Sequence, residues 1–146
     1  MKAEGKTLDE VLHTLAEKSG LLGLSGVSGD IRDLEEAAGK GSTRARLALD
    51  VFTSEIRRHL GGTLVELGGA DAIVFTGGIG ENGTHIRSAV CANLSELGIV
   101  LDDKANASAK GECKISSNDS RTQVWIIPTN EELIVARQSK ALLEGK

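Results

Sequence analysis

Aromatic side chains are nearly absent from this sequence. They make up 2% of its 146 residues, with one Trp and no Tyr. Proteins that bind single-stranded nucleic acids rely on aromatic rings on which bases stack, so this composition argues against such a surface. The net charge of −4 and the lack of a Lys/Arg cluster argue against any DNA or RNA partner, because affinity for the phosphate backbone comes from clustered cations.

Cysteines and long apolar runs are also scarce. The two cysteines, Cys91 and Cys113, do not have the spacing of metal ligands. No stretch approaches the roughly 20 apolar residues that span a bilayer, and the N-terminal residues lack the apolar region of a signal peptide. We therefore expect a cytoplasmic protein with reduced thiols and no membrane association.

The first 68 residues predict helices. Apolar residues recur at helical spacing in three segments, and two of these follow residues suited to helix capping. The helices are expected at residues 8–18, 31–38 and 42–67, with N-caps at Thr7 and Asp30. Residues 20–29 contain four glycines and are expected to form a loop.

The second part of the chain predicts alternating strands and helices. The apolar run 72–75 predicts a strand buried on both faces, and the glycine-rich turn 77–82 leads into a helix with Ile86, Val90, Leu94 and Leu97 inside. The other segments are strands at 99–101, 114–116 and 123–127, a polar connection at 102–110 and a helix at 130–143. The predicted fold class is α/β, with a helical section (1–68) followed by an α/β section (69–146).

The glycine-rich turn has two interpretations. Gly78, Gly80 and Gly83 match the dinucleotide-binding fingerprint GxGxxG, and Asp102 follows roughly where that motif places its ribose-binding acid. Glu81, however, puts a carboxylate where a pyrophosphate would lie, and the hairpin expected from the later strands leaves no further parallel crossover. From these residues alone, two interpretations are equally well supported. In the first, the turn contacts a nucleotide such as NAD or ATP; in the second, it is a tight turn that binds no ligand.

Four longer strings resemble acetate kinases, in the same order along the chain. Residues 19–33 resemble a loop and helix of that family through Ser-Gly-Leu-Leu-Gly-Leu-Ser-Gly and Ser-Gly-Asp-Ile-Arg-Asp. Residues 45–50 (Ala-Arg-Leu-Ala-Leu-Asp) resemble its next helix. Residues 71–82 (Asp-Ala-Ile-Val-Phe-Thr-Gly-Gly-Ile-Gly-Glu-Asn) are similar to its adenine-side strand and turn, and residues 127–133 (Ile-Pro-Thr-Asn-Glu-Glu-Leu) to its closing motif. The resemblance covers nearly the whole chain.

This resemblance implies that residues 1–146 form one partial domain, part of the C-terminal domain of an actin-like, ribonuclease-H-like ATPase fold, with 69–146 as its nucleotide-binding section. In that fold the nucleotide lies between two domains. It also implies a homodimer joined through this domain. The implied reaction is reversible transfer of the γ-phosphoryl group of ATP to acetate, giving acetyl phosphate and ADP, with Mg²⁺. Propionate and butyrate kinases share this architecture, and a nucleotide-binding or dimerisation module without catalysis is an alternative of a different class.

The resemblance carries ligand roles to nine positions. The positions that match the family's nucleotide site are Asp30, Arg32, Gly78, Ile79, Gly80, Glu81, Asn82 and Ile86. Glu131 matches its magnesium-associated glutamate, while Thr129 and Glu132 have the spacing of a capping box that assigns Glu132 to the helix start. The alternatives are an N-capping Asp30 beside a solvated Arg32, a core Ile86, and two glutamates that complement the helix dipole.

The family's other catalytic groups match no position here. Its N-terminal asparagine, the arginines that hold the carboxylate and phosphoryl groups, and its transition-state histidine all precede the segment that this chain resembles. Phosphoryl transfer depends on positioning and on charge stabilisation of the transferred group. We therefore expect the chain alone to be catalytically inactive.

Overall fold

The structure is a computed structural model that describes residues 5–145, the side chain of Glu131 excepted. The chain divides into two compact units, one ending at Thr63 and the other beginning at Leu64. Within residues 5–145, none of the helices combines the length and the apolar character needed to cross a bilayer. Whether residues 1–146 act as one partial domain stays a prediction.

The first unit is helical. It contains α1 (Leu8–Glu17), α2 (Gly20–Ser25), α3 (Ile31–Gly39) and the greater part of α4 (Thr43–Leu67). The predicted helices at 8–18, 31–38 and 42–67 are confirmed to within one residue at each end. The expected loop at 20–29 is wrong over its first six residues, which form α2.

Capping accounts for the helix starts of this unit. Thr7 and Glu10 form the predicted capping box, in which the Thr7 N–H donates to Glu10 Oε2 at 2.7 Å and the Glu10 N–H donates to Thr7 Oγ1 at 3.2 Å. Asp30 caps α3, because its Oδ1 accepts from the Arg32 N–H at 2.8 Å. The sequence therefore places the first residue of α1 and of α3 correctly.

The existence of α2 depends on a distant side chain. A six-residue helix is too short to be stable alone. Arg44 Nε donates to the Leu24 carbonyl at 3.0 Å, and its Nη2 donates to the Gly23 carbonyl at 3.2 Å. These carbonyls lie in the last turn of α2 and have no partner within the helix. The guanidinium thus completes a helix about 20 residues earlier in the chain.

Small residues dominate the core of the first unit. Leu34, Ala45 and Ala48 are fully buried, and Ala38 is nearly so. Alanines at these positions of α3 and α4 allow the two helices to approach closely. By contrast, α1 buries none of its residues.

The second unit is built on a three-stranded sheet in the order β1 (Ala72–Phe75), β3 (Gln123–Ile126), β2 (Cys113–Lys114). The strands β1 and β3 are parallel, with Ala72 opposite Gln123, and β2 is antiparallel to β3. The expected strand at 99–101 is wrong, because Leu101 makes only an isolated bridge to Ser116. The parallel pairing also corrects the sequence argument: the later strands do form a hairpin, yet β1 still crosses over to β3.

The strand β1 is less buried than expected. Val74 is 46% exposed, and Ile73 and Phe75 are half-buried. The prediction of burial on both faces is therefore wrong. The reason is that only one face of β1 is covered: Ile73 and Phe75 pack against the core, whereas Ala72 and Val74 lie on the exposed face.

Short helices fill the connections of the second unit. They are α5 (Gly77–Asn82), α6 (Thr84–Cys91), a 3₁₀ helix (Ser95–Leu97) and α7 (Asp103–Ser108), followed by α8 (Glu131–Leu143). The expected turn at 77–82 is thus itself a helix, and the expected polar connection at 102–110 contains α7. Asp102 caps α7 through its Oδ1, which accepts from the N–H groups of Lys104 and Ala105 at 2.9 and 3.0 Å. That carboxylate is used as a helix cap, not as the ribose-binding acid of a dinucleotide site.

The apolar core of this unit lies around the sheet. Its buried residues are Cys91, Ile99, Ile115, Val124 and Ile126. The helix after the glycine-rich turn was expected to place Ile86, Val90, Leu94 and Leu97 inside. Ile86 and Val90 are buried, but α6 ends at Cys91 and Leu97 is 60% exposed.

A buried arginine ties the short helices together. Arg87 is 1% exposed. Its Nη1 donates to the carbonyls of Gly80 and Glu81, both at 2.9 Å. Its Nη2 donates to Thr84 Oγ1 at 3.2 Å and to the Asn106 carbonyl at 3.1 Å, and its Nε donates to Asn106 Oδ1 at 2.7 Å. One side chain therefore joins α5, α6 and α7.

These hydrogen bonds make the burial of the charge possible. Burial lowers the pKa of Arg87, and a buried charge is tolerated only when it is well hydrogen-bonded. No carboxylate whose side chain the structure describes forms an ion pair with this guanidinium. The guanidinium instead donates to main-chain carbonyls at the end of α5, which lack partners within that helix. The partial negative charge at this helix end offsets part of the cost of burying the cation.

Replacing Arg87 with Met should destabilise the protein strongly. Met has a similar length but leaves the carbonyls of Gly80 and Glu81 and Oδ1 of Asn106 without the donors that Arg87 supplies. We expect a loss of about 3 kcal/mol in the free energy of unfolding measured in urea. Arg87→Lys should lose less, and Arg137→Met, at an exposed position of α8, should change little. A loss below about 1 kcal/mol for Arg87→Met would contradict this role.

Candidate functional site

The glycines of the GxGxxG motif have different surroundings. A Cβ on Gly80 would lie 3.1 Å from the main-chain carbon of Phe75, and a Cβ on Gly83 would lie 2.6 Å from the Ile79 carbonyl oxygen. These two positions need glycine because main chain packs closely there. A Cβ on Gly78, by contrast, would have nothing within 4 Å.

This difference revises the role expected for Gly80. The resemblance gave Gly78 and Gly80 one purpose, the close approach of a base to the backbone. The geometry gives Gly80 a packing reason of its own, namely the contact of α5 with the end of β1. Gly78 is the glycine beside which a ligand has room.

Two cavities lie where α5 faces the connection from β3 to α8. The larger has a volume of about 550 Å³ and is lined by Gly78, Glu81, Pro128, Thr129, Asn130 and Glu132. The smaller has a volume of about 240 Å³, and its lining includes Glu81, Asn82, Lys110 and Pro128. Glu81 and Pro128 line both, so the two cavities adjoin at these residues.

The side chain of Glu81 is committed to a neighbouring segment. Its Oε1 accepts from the Thr129 N–H at 3.0 Å and, at 3.4 Å, from Thr129 Oγ1. These hydrogen bonds direct the carboxylate toward the connection from β3 to α8, but their donors are neutral, so the objection that its charge would repel a phosphate stands. Direct contact between Glu81 and a nucleotide, as implied by the resemblance, stays a prediction.

The other residues expected on the nucleotide side of the second unit are placed differently. Asn82 lines the smaller cavity, and its Nδ2 donates to the Gly78 carbonyl at 2.9 Å, which leaves the amide oxygen as an acceptor. Ile79 is 42% exposed. Ile86 is 5% exposed and lines neither cavity as described. Its expected role as an apolar wall therefore stays a prediction.

Asp30 and Arg32 belong to the first unit and bind each other. Arg32 Nε donates to Asp30 Oδ1 at 3.0 Å and its Nη2 donates to Oδ2 at 2.6 Å. These hydrogen bonds lower the pKa of Asp30 to about 2. The Arg32 side chain is 87% exposed. Asp30 thus caps α3, and Arg32 is a solvated cation beside it. Contact of either residue with a nucleotide stays a prediction.

The start of α8 differs from the predicted capping box. The N-cap is Asn130, whose Oδ1 accepts from the Leu133 N–H at 3.0 Å, so the pairing of Thr129 with Glu132 is wrong. Thr129 is instead held by Glu81. Asn is as good a cap as Thr, so the sequence contained two adjacent cap signals.

This correction bears on the predicted metal site. Glu132 has no capping duty in this arrangement, and it lines the larger cavity. Glu131 is the first residue of α8, and its side chain lies outside the described part of the chain. Among the described residues, no three His, Cys, Asp or Glu side chains come together as a metal site. A magnesium ion would need few protein ligands here, since it commonly takes one or two carboxylates plus phosphate oxygens.

Known proteins resemble this chain over nearly its whole length. A sequence model of the Acetokinase family matches residues 1–137. An acetate kinase from Natranaerobius thermophilus is 50% identical over 143 residues, which are 98% of this chain and 36% of that protein.

Solved structures agree. The crystal structure of Porphyromonas gingivalis acetate kinase matches with a TM-score of 0.87 and 39% identity, over 98% of this chain and 36% of that chain. A propionate kinase from Francisella tularensis matches with a TM-score of 0.82 and 35% identity, over 92% of this chain and 34% of that chain. These matches confirm the predicted fold class. The chain spans 36% of the length of the acetate kinases named here, and it belongs to the acetokinase family.

Proposed function

We propose that this chain forms the ATP- and ADP-binding part of a Mg²⁺-dependent acetate kinase. The reaction of the whole enzyme is reversible transfer of the γ-phosphoryl group of ATP to acetate, giving acetyl phosphate and ADP. The observation that carries the proposal is the open space beside Gly78. This glycine lies at the start of the helix that follows β1, and it lines the cavity of about 550 Å³. Family membership supplies the reaction.

The surroundings of Gly78 fit an adenine base. A planar ring can lie against the backbone where no Cβ intervenes. Asn82 offers an amide oxygen that could accept from an exocyclic amino group, and the exposed part of Ile79 offers an apolar surface. We also propose that Asp30 and Arg32, in the first unit, contact a nucleotide, as the family resemblance implies.

The start of α8 fits a magnesium ion by its donor chemistry. Mg²⁺ prefers carboxylate oxygens and usually keeps several waters. We assign Glu131 as the magnesium-associated carboxylate, with Glu132 at the same end of the helix as the competing candidate. The ion, when bound, neutralises charge on the transferred phosphoryl group.

Acetate and acetyl phosphate are proposed as substrates of the whole enzyme, working in the cytoplasm. Their binding is assigned to the part of the relatives that this chain does not span. A propionate kinase is the second candidate, because the Francisella tularensis enzyme also matches this chain with a TM-score of 0.82. We expect the 146 residues alone to bind nucleotide weakly and to form no acetyl phosphate.

Gly78→Val should abolish ADP binding and leave the fold intact. The new side chain has free space in the unliganded protein but would fill the room proposed for the base. Gly62→Val is a matched control, because Gly62 also lies in a helix and a Cβ added there would have nothing within 4 Å. Calorimetric ADP titrations and thermal melts should show lost binding for Gly78→Val only. Unchanged ADP affinity would show that the base binds elsewhere.

Glu131 and Glu132 can be separated in a chimera. This chain would replace the matching segment of the Natranaerobius thermophilus acetate kinase. We expect Glu131→Gln to lower turnover at least tenfold and to raise the Mg²⁺ concentration needed for half-maximal rate, because an amide keeps the shape but loses the charge. Glu132→Gln should have the smaller effect in magnesium-dependent kinetics. The reverse order would move the assignment to Glu132, and no effect of either would refute a metal site on this helix.

We also propose a homodimer formed through this part of the enzyme. Several large apolar side chains of α4 are exposed, among them Leu47 at 52% and Val65 at 82%. Apolar side chains that one copy leaves exposed can be buried against a second copy. Sedimentation equilibrium at micromolar concentrations should show dimers, and Leu47→Glu should shift the protein toward monomers. A strict monomer for the unaltered chain would argue against this interface.

A further inference from the structure

The connection from β3 to α8 has few main-chain anchors. At its beginning, the Ile127 N–H donates to the Phe75 carbonyl at 3.0 Å. The next residue, Pro128, has no N–H to donate. The Thr129 N–H is therefore the next main-chain donor after that of Ile127, and it donates to Glu81 Oε1 at 3.0 Å. The helix cap at Asn130 follows immediately.

Glu81 is held at its other end. Its main-chain carbonyl accepts from Nη1 of the buried Arg87 at 2.9 Å, and the same nitrogen donates to the Gly80 carbonyl. The backbone at the end of α5 is thus fixed to the interior of the unit. The carboxylate of the same residue reaches across to Thr129, which makes Glu81 a short link between α5 and the residue that precedes the cap of α8.

The cavities lie on both sides of this link. Glu81 lines the larger cavity together with Gly78, and the smaller cavity together with Asn82. A ligand that contacts α5 at either residue therefore lies beside the Glu81–Thr129 contact. Because Arg87 fixes the main chain of Glu81, the Glu81 carboxylate holds Thr129 in a set place beside such a ligand.

We infer that Glu81 is a positioning residue, which holds the first turn of α8 in place relative to a nucleotide bound against α5. The nucleotide and the proposed magnesium carboxylate, Glu131, are coupled by this contact. The inference rests on the proposed function. It gives Glu81 an indirect role, in place of the direct nucleotide contact that the family resemblance implies.

Calorimetric titration of the chain with ADP, with and without Mg²⁺, tests the coupling. In Glu81→Ala, the gain in ADP affinity produced by Mg²⁺ should fall about fivefold, so that the loss of affinity is larger with Mg²⁺ than without it, as for the loss of a charge-assisted hydrogen bond. Glu81→Gln should keep most of the gain, because its amide oxygen can accept from the same two donors. Glu96→Ala, at an exposed glutamate of the 3₁₀ helix, should behave as the unaltered chain.

Amide hydrogen exchange tests the contact itself, without ligand. The Thr129 N–H should exchange faster in Glu81→Ala than in the unaltered chain, and an equal rate would overturn the inference alone. An unchanged magnesium gain in Glu81→Ala would also overturn it, and so would equal losses of affinity with and without Mg²⁺, which would make Glu81 a direct nucleotide contact. Absence of ADP binding by the unaltered chain would refute the proposed function and the coupling together, leaving only the structural contact.

Discussion

The second unit depends on one buried guanidinium. Arg87 joins three helices, of which α5 and α7 have six residues each, a length that is unstable in isolation. The arginine supplies donors to the carbonyls at the end of α5, and Asn106, near the end of α7, accepts from the same side chain. Because a buried charge is costly unless its hydrogen bonds are satisfied, the guanidinium and the helix ends stabilise each other.

The geometry of the candidate site follows from that arrangement. The helix α5 begins directly after β1, packs against Phe75 through Gly80, and is fixed at its far end by Arg87. Gly78 is left facing open space, while Glu81 extends toward the start of α8. A rigid platform with one open glycine is what close contact with a planar base requires. The buried Arg87 therefore fixes the same residue, Glu81, whose carboxylate binds Thr129 at the surface.

The sequence predicted those features that depend on neighbouring residues. The caps at Thr7 and Asp30 and the strand at 72–75 follow from local patterns. Features that depend on distant partners were missed: α2 needs Arg44, and the cap of α8 is Asn130 because Glu81 holds Thr129. Arg87 did leave a signal, since it lies three and four residues before the buried Val90 and Cys91, on the apolar face of α6. A charge on such a face indicates a buried polar network.

The central claim is that α5 is the surface on which a nucleotide binds. An amide chemical-shift titration of the isotopically labelled chain with ADP tests it most directly. The account predicts saturable shifts that are largest for residues 77–82, followed by the residues around Thr129, with no comparable response to NAD. Saturable ADP shifts that leave residues 77–82 unchanged would contradict it.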